Sequence, residues 1–309
     1  MAGKGNTFFK HLKRDWRLHV FMALPLLYMF LFDYYPMLGL QIAFKDFTPA
    51  LGIWGSKWVG FKHFLTFFES YQFIRVLSNT IIISVYSILA GFPIPIFFAL
   101  LLNTVKNSRF KKLMQTVTYF PHFISITVLV GMMVRFFSPI NGFYGFISRL
   151  FGDGYPEAIY GQADTFLHFF VWSGIWQNLG WDSIIYFAAL SSVSTDLYEA
   201  AEIDGATRWK RLLCIDLPTI LPIAGIMLIL RLGSILSVGW EKILLMQNNL
   251  NLAVSEVIST YVYKVGLVTA NNFSYATAIG MFNSVINCLV LLLVNYAARK
   301  LSDNEVGLL

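Results

Sequence analysis

The sequence has 309 residues, 57% hydrophobic and 13% charged, with a mean hydropathy of +0.62. Ordinary soluble domains carry about 25% charged residues, so this chain lacks the polar surface that water requires, and lipid must be its main solvent. The formal charge of +6 does not mark a nucleic-acid binder, because the basic residues stand between apolar runs and form no continuous patch.

A helix needs about 20 apolar residues to cross a hydrocarbon core about 30 Å thick. Six stretches approach that length, which predicts an all-α polytopic fold with six transmembrane helices. The first runs over residues 18–40, weakened by Asp33 and Pro36, and no small-residue cleavage site follows Phe32, so it is a retained helix rather than a signal peptide. Asp33, Tyr34, Tyr35 and Pro36 then form an aromatic cluster suited to the membrane interface. Phe61, Phe64, Phe67 and Phe68 recur at helical spacing, which predicts an amphipathic helix lying in that interface. The second span, 76–103, is uncharged and holds Pro93 and Pro95; the third, 113–134, holds Pro121; all three prolines are expected to kink their helices. His122 and Arg135 read as structural or interfacial. The fourth span covers 165–195 with one acid, Asp182; the fifth covers 217–240 with one base, Arg231; the sixth covers 275–298 after a polar, turn-forming stretch at 271–274.

Fourteen Lys and Arg residues fall on the side of the termini and seven, including Lys242, on the other, so both termini are expected in the cytoplasm. The chain divides into residues 1–74, with the N-terminus, first span and an outer segment; 75–298, the membrane core; and 299–309, a cytoplasmic tail. The outer segments 41–74, 138–164 and 241–274, rich in aromatic residues and glycine, are expected to cap the outer face. Cys214 and Cys288 lack a CxxC spacing and lie in different segments, so neither a zinc site nor a disulfide framework is indicated.

The most distinctive stretch joins the fourth and fifth spans on the cytoplasmic side. Asp196 at an N-cap and Glu199 three residues later would make a capping box, and Gly205 is placed to end the helix in a left-handed conformation. Leu197, Ala200, Ala201 and Asp204 share a face whose two alanines let the backbone approach a partner's groove closely. Such a face suits docking, not catalysis. From Gly205, nine residues lead to Ile215, followed by Asp216, Leu217 and Pro218.

This spacing resembles the EAA---G---------I-LP loop of permease subunits in binding-protein-dependent type I ABC importers: Glu199, Ala200, Ala201, Gly205, Ile215, Leu217 and Pro218 all match. Residues 35–46, 52–60 and 255–267 resemble the branch that takes oligosaccharides released from complex polysaccharides, although Lys57 stands where that branch has proline. The resemblance implies a second permease as heterodimeric partner, a cytoplasmic ATPase dimer and an extracytoplasmic sugar-binding protein, all in a bacterial inner membrane. It also implies alternating access driven through the 196–206 helix, including Asp204 and Ala206, and continuous into the fifth span. For Glu199 the capping role is preferred over an ion pair to the ATPase. No cofactor is expected on this chain; ATP and Mg would be used by the ATPase. No G-x-x-x-x-G-K-[ST], H-E-x-x-H or G-x-S-x-G occurs, so the chain is expected to be no enzyme.

For the pathway, polar residues within spans are the candidates, set against the plainer reading that they pack helices. Asn178 and Asp182 are spaced i,i+4 with Trp181 beside them, a carboxylate, amide and indole suited to sugar hydroxyls and ring faces. Arg231 and Ser234 lie i,i+3 on the fifth span; Asn283 and Asn287 share a face of the sixth. Arg231 would pair with a substrate carboxylate if the sugar is acidic, or form an internal ion pair. The alternatives are a permease for a simple sugar or another solute, and a secondary carrier, which would need pathway carboxylates for ion coupling.

Overall fold

A computed structural model describes residues 14–152, 155–269 and 272–301. Lys4, Lys10, Lys13, Asn271 and positions 302–309, used above for topology, turn and tail, lie outside the described residues. The helices that position the site are α1 (Trp16–Met29), α2 (Lys62–Glu69), α3 (Tyr71–Gly91), α4 (Pro93–Asn103), α5 (Ser108–Tyr119), α6 (Ile126–Phe136), α7 (Ala163–Ser191), α8 (Thr195–Ile203), α9 (Leu217–Gly233), α10 (Trp240–Met246) and α11 (Phe273–Leu301). The fold is essentially all-α; the one departure is a two-stranded antiparallel ribbon in which β1 (Lys45–Asp46) pairs with β2 (Lys57–Trp58), Lys45 opposite Trp58.

Among the described residues four helices are long and apolar enough to cross a membrane, Trp16–Phe44, Tyr71–Asn103, Arg208–Gly233 and Phe273–Lys300, and a fifth span counts if the bent pair Ser108–Phe123 and Ile126–Phe136 is one. The fourth expected span, the remaining one of the six, is α7. Its 29 residues reach about 43 Å at 1.5 Å per residue, but Gln177, Asn178 and Asp182 dilute its hydropathy. The third span is not the single kinked helix expected: its halves meet at 98°. The Phe120–Phe123 turn has Pro121 near its start, and Ser125 caps α6 by accepting from the Val128 N–H. At Phe92 the second span is interrupted where Pro93 opens α4, as a residue without an N–H does best at a helix start.

The N-terminal span stands apart, with no buried residue from Trp16 to Met29. Its continuation through Tyr35–Phe44 packs against α11. The aromatic stripe at α2 is split: Phe61 and Phe68 are exposed and Phe67 turns inward. Phe67 is only 1% exposed and sits among Phe73, Tyr261, Tyr275 and Phe282, so part of the expected interfacial helix is core. Nearby, Glu256 is buried between Arg75 and Lys264 and pairs with both, offsetting one of their two charges.

α7 is the central helix, packing against α3, α4, α5 and α9. One apolar cluster joins Phe166, Phe170 and Val171 to Leu129, Met133, Ile243 and Met246; another joins Tyr186, Phe187 and Leu190 to Ala99, Leu100, Ile220 and Ala224. Between them α7 crosses α5 at backbone contact: a Cβ on Gly180 would lie 2.4 Å from the Thr118 carbonyl oxygen. Gly180→Val is therefore expected to destabilise the protein by about 1–3 kcal/mol through overpacking, or to prevent assembly. The check is the thermal midpoint of the purified complex in detergent; an unchanged midpoint would contradict the close crossing.

Candidate functional site

Two places gather the functional side chains: the α8 loop and a polar cavity beside α7. In α8 the N-cap is Ser194, whose hydroxyl accepts from the Asp196 N–H, so Asp196 lies in the first turn and the expected Asp196–Glu199 capping box does not form. A serine in the extended conformation just before the turn took the cap, because the cap must precede the first helical residue. The Glu199 side chain makes no hydrogen bond or ion pair among the described residues and is exposed, with Ala200, Asp204 and Gly205 beside it. The other end forms as expected. Gly205 has φ +73, its N–H donates to the Glu202 carbonyl, and the Ala206 N–H donates to the Ala201 carbonyl at 2.9 Å, a Schellman closure.

The helix does not continue into the fifth span. A turn at Gly205–Thr207 separates it from the Arg208–Arg211 helix, which passes through a wide turn at Leu212–Asp216 into α9, where Pro218 occupies the first turn. Side chains bridge the gap. Glu202 pairs with Arg211 at 3.2 Å, and the Tyr198 hydroxyl donates to Asp216 Oδ1 at 2.5 Å. Asn103 Nδ2, at the end of α4, donates to the same Asp216 oxygen at 3.3 Å, and Lys111 Nζ of α5 donates to Asn103 Oδ1 at 3.0 Å. Burial and the bond to Asp216 push the Tyr198 phenol up to about 12, so it stays a proton donor. α8 is thus linked to the end of α4 and the entry to α9 through one buried carboxylate, and to α5 through Asn103. Sequence reasoning passed over Tyr198 and Asp216, although both lie inside the recognised loop. Ile215 accepts from the Thr219 hydroxyl, and Leu217 packs on the Ala99–Ile220 cluster.

The cavity, about 290 Å³, is enclosed by α3, α4, α6, α7, α9 and α10. Asn178 and Asp182 line it as the i,i+4 spacing implied, and Arg231 joins them, its Nη2 2.5 Å from Asp182 Oδ2. Trp181 stacks on His122 at 4.2 Å, and His122 Nδ1 is 2.9 Å from Asn178 Oδ1, so His122 belongs to this polar group rather than to packing alone. Ser234, Asn283 and Asn287 do not reach the cavity. The Ser234 hydroxyl bonds back to the Leu230 and Arg231 carbonyls at the end of α9. Asn287 accepts from the Leu236 N–H and donates to Ser237, tying down the chain after α9, while Asn283 lines a separate groove between the first span and α11. A cleft of about 1040 Å³ on another face of α7, lined by Trp172, Trp176, Phe136 and Phe143, is almost wholly apolar.

Lys242 was expected in the outer segment. Instead the fifth span ends at Gly233 and α10 folds back against α6 and α7, so Lys242 is 6% exposed and faces the cavity. Ser87 and Gln177, also passed over in sequence reasoning, line the same space. A small polar side chain in an apolar run was the available signal for each.

A model of the family described as "Binding-protein-dependent transport system inner membrane component" matches residues 91–303. The chain belongs to this family. Protein LplB of Bacillus subtilis is 41% identical over 97% of this chain and 93% of its own length. The polygalacturonan/rhamnogalacturonan transport system permease protein YteP of the same organism is 38% identical over 92% of this chain and 88% of its own. A bacterial ABC transporter involved in the import of the acidic polysaccharide alginate contains a chain that superposes with a TM-score of 0.87 at 40% identity, covering 96% of this permease and 99% of that chain. The permease therefore has the type I ABC importer fold and is a multi-pass membrane protein.

Proposed function

We propose that this permease moves acidic oligosaccharides released from polysaccharides across the bacterial inner membrane, as one half of a two-permease pathway. A binding protein delivers the sugar from outside, and both termini face the cytoplasm. A paired cytoplasmic ATPase, which uses ATP and Mg, seats the exposed face of α8 in its groove. Glu199, free of any capping duty, is available to pair with an ATPase cation. The observation that carries the reading is the joining of the docking helix to the cavity walls. Asp216 ties α8 to the end of α4 and the start of α9, and α4 and α9 line the sugar-sized space. Motion imposed on α8 by nucleotide-driven closure then rocks the walls around a bound sugar.

The test is uptake of a labelled oligogalacturonide by proteoliposomes holding the complete complex, its binding protein outside and ATP inside. Uptake that needs no ATP, or no uptake at all, would overturn the proposal. The isolated permease is expected to bind no ATP, since it has no phosphate-cradling loop; stoichiometric nucleotide binding by the purified chain would refute its role as the passive half of the motor.

A further inference from the structure

Lys242 has no carboxylate within 4 Å among the described residues; its one hydrogen bond runs from Nζ to the Phe170 carbonyl at 2.8 Å, and it stands 4.9 Å above the Phe170 ring. An ammonium has three donors, so two are left over. A Cβ on Gly174 would come within 3.3 Å of Nζ, so the glycine keeps room for the cation. Holding a cation in a nearly dry space without a counter-charge is unfavourable, and a protein that needed only packing there would do better with an apolar side chain.

The rest of the cavity indicates the ligand. The charge of Arg231 is paired by Asp182, through one of its five N–H donors, which leaves Lys242 as the excess positive charge. Ser87 Oγ is buried without a hydrogen-bond partner among the described residues, and Asn178 adds one amide, whose Nδ2 donates to the Gly174 carbonyl and whose Oδ1 meets His122, leaving a second N–H for a ligand. At about 290 Å³ the space lies at the lower end of the roughly 300–1,000 Å³ that hold small ligands. It therefore suits one sugar unit rather than a whole chain.

Resting on the function proposed above, we infer that Lys242 is the carboxylate-binding residue of the transport cavity, taking the carboxylate of one uronate unit while Ser87 and Asn178 take its hydroxyls. The ligand completes the charge balance that the protein alone leaves open. Because Lys242 is only 6% exposed, an ammonium–carboxylate contact at its Nζ is less screened by water than one at a surface.

The test uses the complete complex in proteoliposomes, with trigalacturonate as the acidic probe and maltotriose as the neutral one. Lys242→Met, which keeps the stem but not the charge, is expected to lower trigalacturonate uptake about tenfold or more, and Lys242→Arg to restore a substantial part of it. Carbodiimide treatment of the wild-type complex during trigalacturonate transport should join the sugar to the peptide carrying Lys242, and no such adduct should form with maltotriose. Normal trigalacturonate uptake by Lys242→Met would overturn the inference while leaving the proposed function intact. So would equal failure of Lys242→Met and Lys242→Arg complexes whose subunits no longer copurify, which would mark a packing residue. A wild-type complex that takes up no oligouronide would instead remove the functional reading itself.

Discussion

Gly205→Val is expected to leave the permease in the membrane at normal levels while cutting uptake, and substrate-stimulated ATP hydrolysis by the assembled importer, about tenfold or more. The glycine has φ +73 and nothing within 4 Å of where a Cβ would stand, so the damage comes from backbone conformation and not from a clash. A β-branched residue takes a left-handed conformation only at a cost of about 1–3 kcal/mol, and the helix end can relieve that strain by unwinding or tilting. Either change breaks the bonds from Gly205 to Glu202 and from Ala206 to Ala201, and shifts the Tyr198–Asp216 contact that leads into the spans. Gly205→Ala, with less crowding at the same φ, should fall between wild type and Val. Paired measurements of uptake and ATPase rate in vesicles decide it. Wild-type uptake by the Val variant would make the loop a plain connector.

The second large effect is expected at the Arg231–Asp182 pair, which crosses from α9 to α7 inside the cavity. Arg231→Ala should reduce transport of neutral and acidic oligosaccharides alike, because the guanidinium is engaged by Asp182 and its removal strands a carboxylate in the cavity wall. Removing one partner of a fully buried pair costs about 3–5 kcal/mol. Here the side chains keep 34% and 29% exposure, so water screens the stranded charge. A loss of about 1–3 kcal/mol is expected. Asp182→Ala should do similar harm, and the double variant less than the sum, which a double-mutant cycle on thermal midpoint and uptake would measure. Loss confined to acidic substrates in Arg231→Ala would show that Arg231, and not Lys242, meets the sugar carboxylate.

Much of the site was legible in the chain because its signals are local. The i,i+4 spacing of Asn178 and Asp182 places both on one face of any helix, so their shared face followed from periodicity alone. Gly205 stood where a helix must end, and its left-handed conformation was implied by position. The capping box misled for a local reason too. Ser194, Thr195 and Asp196 are all good caps, and only the register of the first turn selects among them. Arg231 showed that a charge within a span needs a partner, but did not show whether that partner was Asp182 or a substrate.

Composition and apolar run length by themselves determined a helical membrane protein, and the loop spacing carried the resemblance to the permease family, since each depends on residues close together in the chain. What only the tertiary structure decided is where the charges meet. Ser87, Asn178, Arg231 and Lys242 lie on four separate helices and share one cavity only because α10 turns back after Gly233. Likewise Asn103 and Tyr198 converge from separate helices on the Asp216 carboxylate, with Lys111 held behind them by Asn103. Helical periodicity says which residues share a face. Which faces meet depends on how the helices pack and where they break, as at the 98° bend of the third span, and local patterns do not encode that geometry.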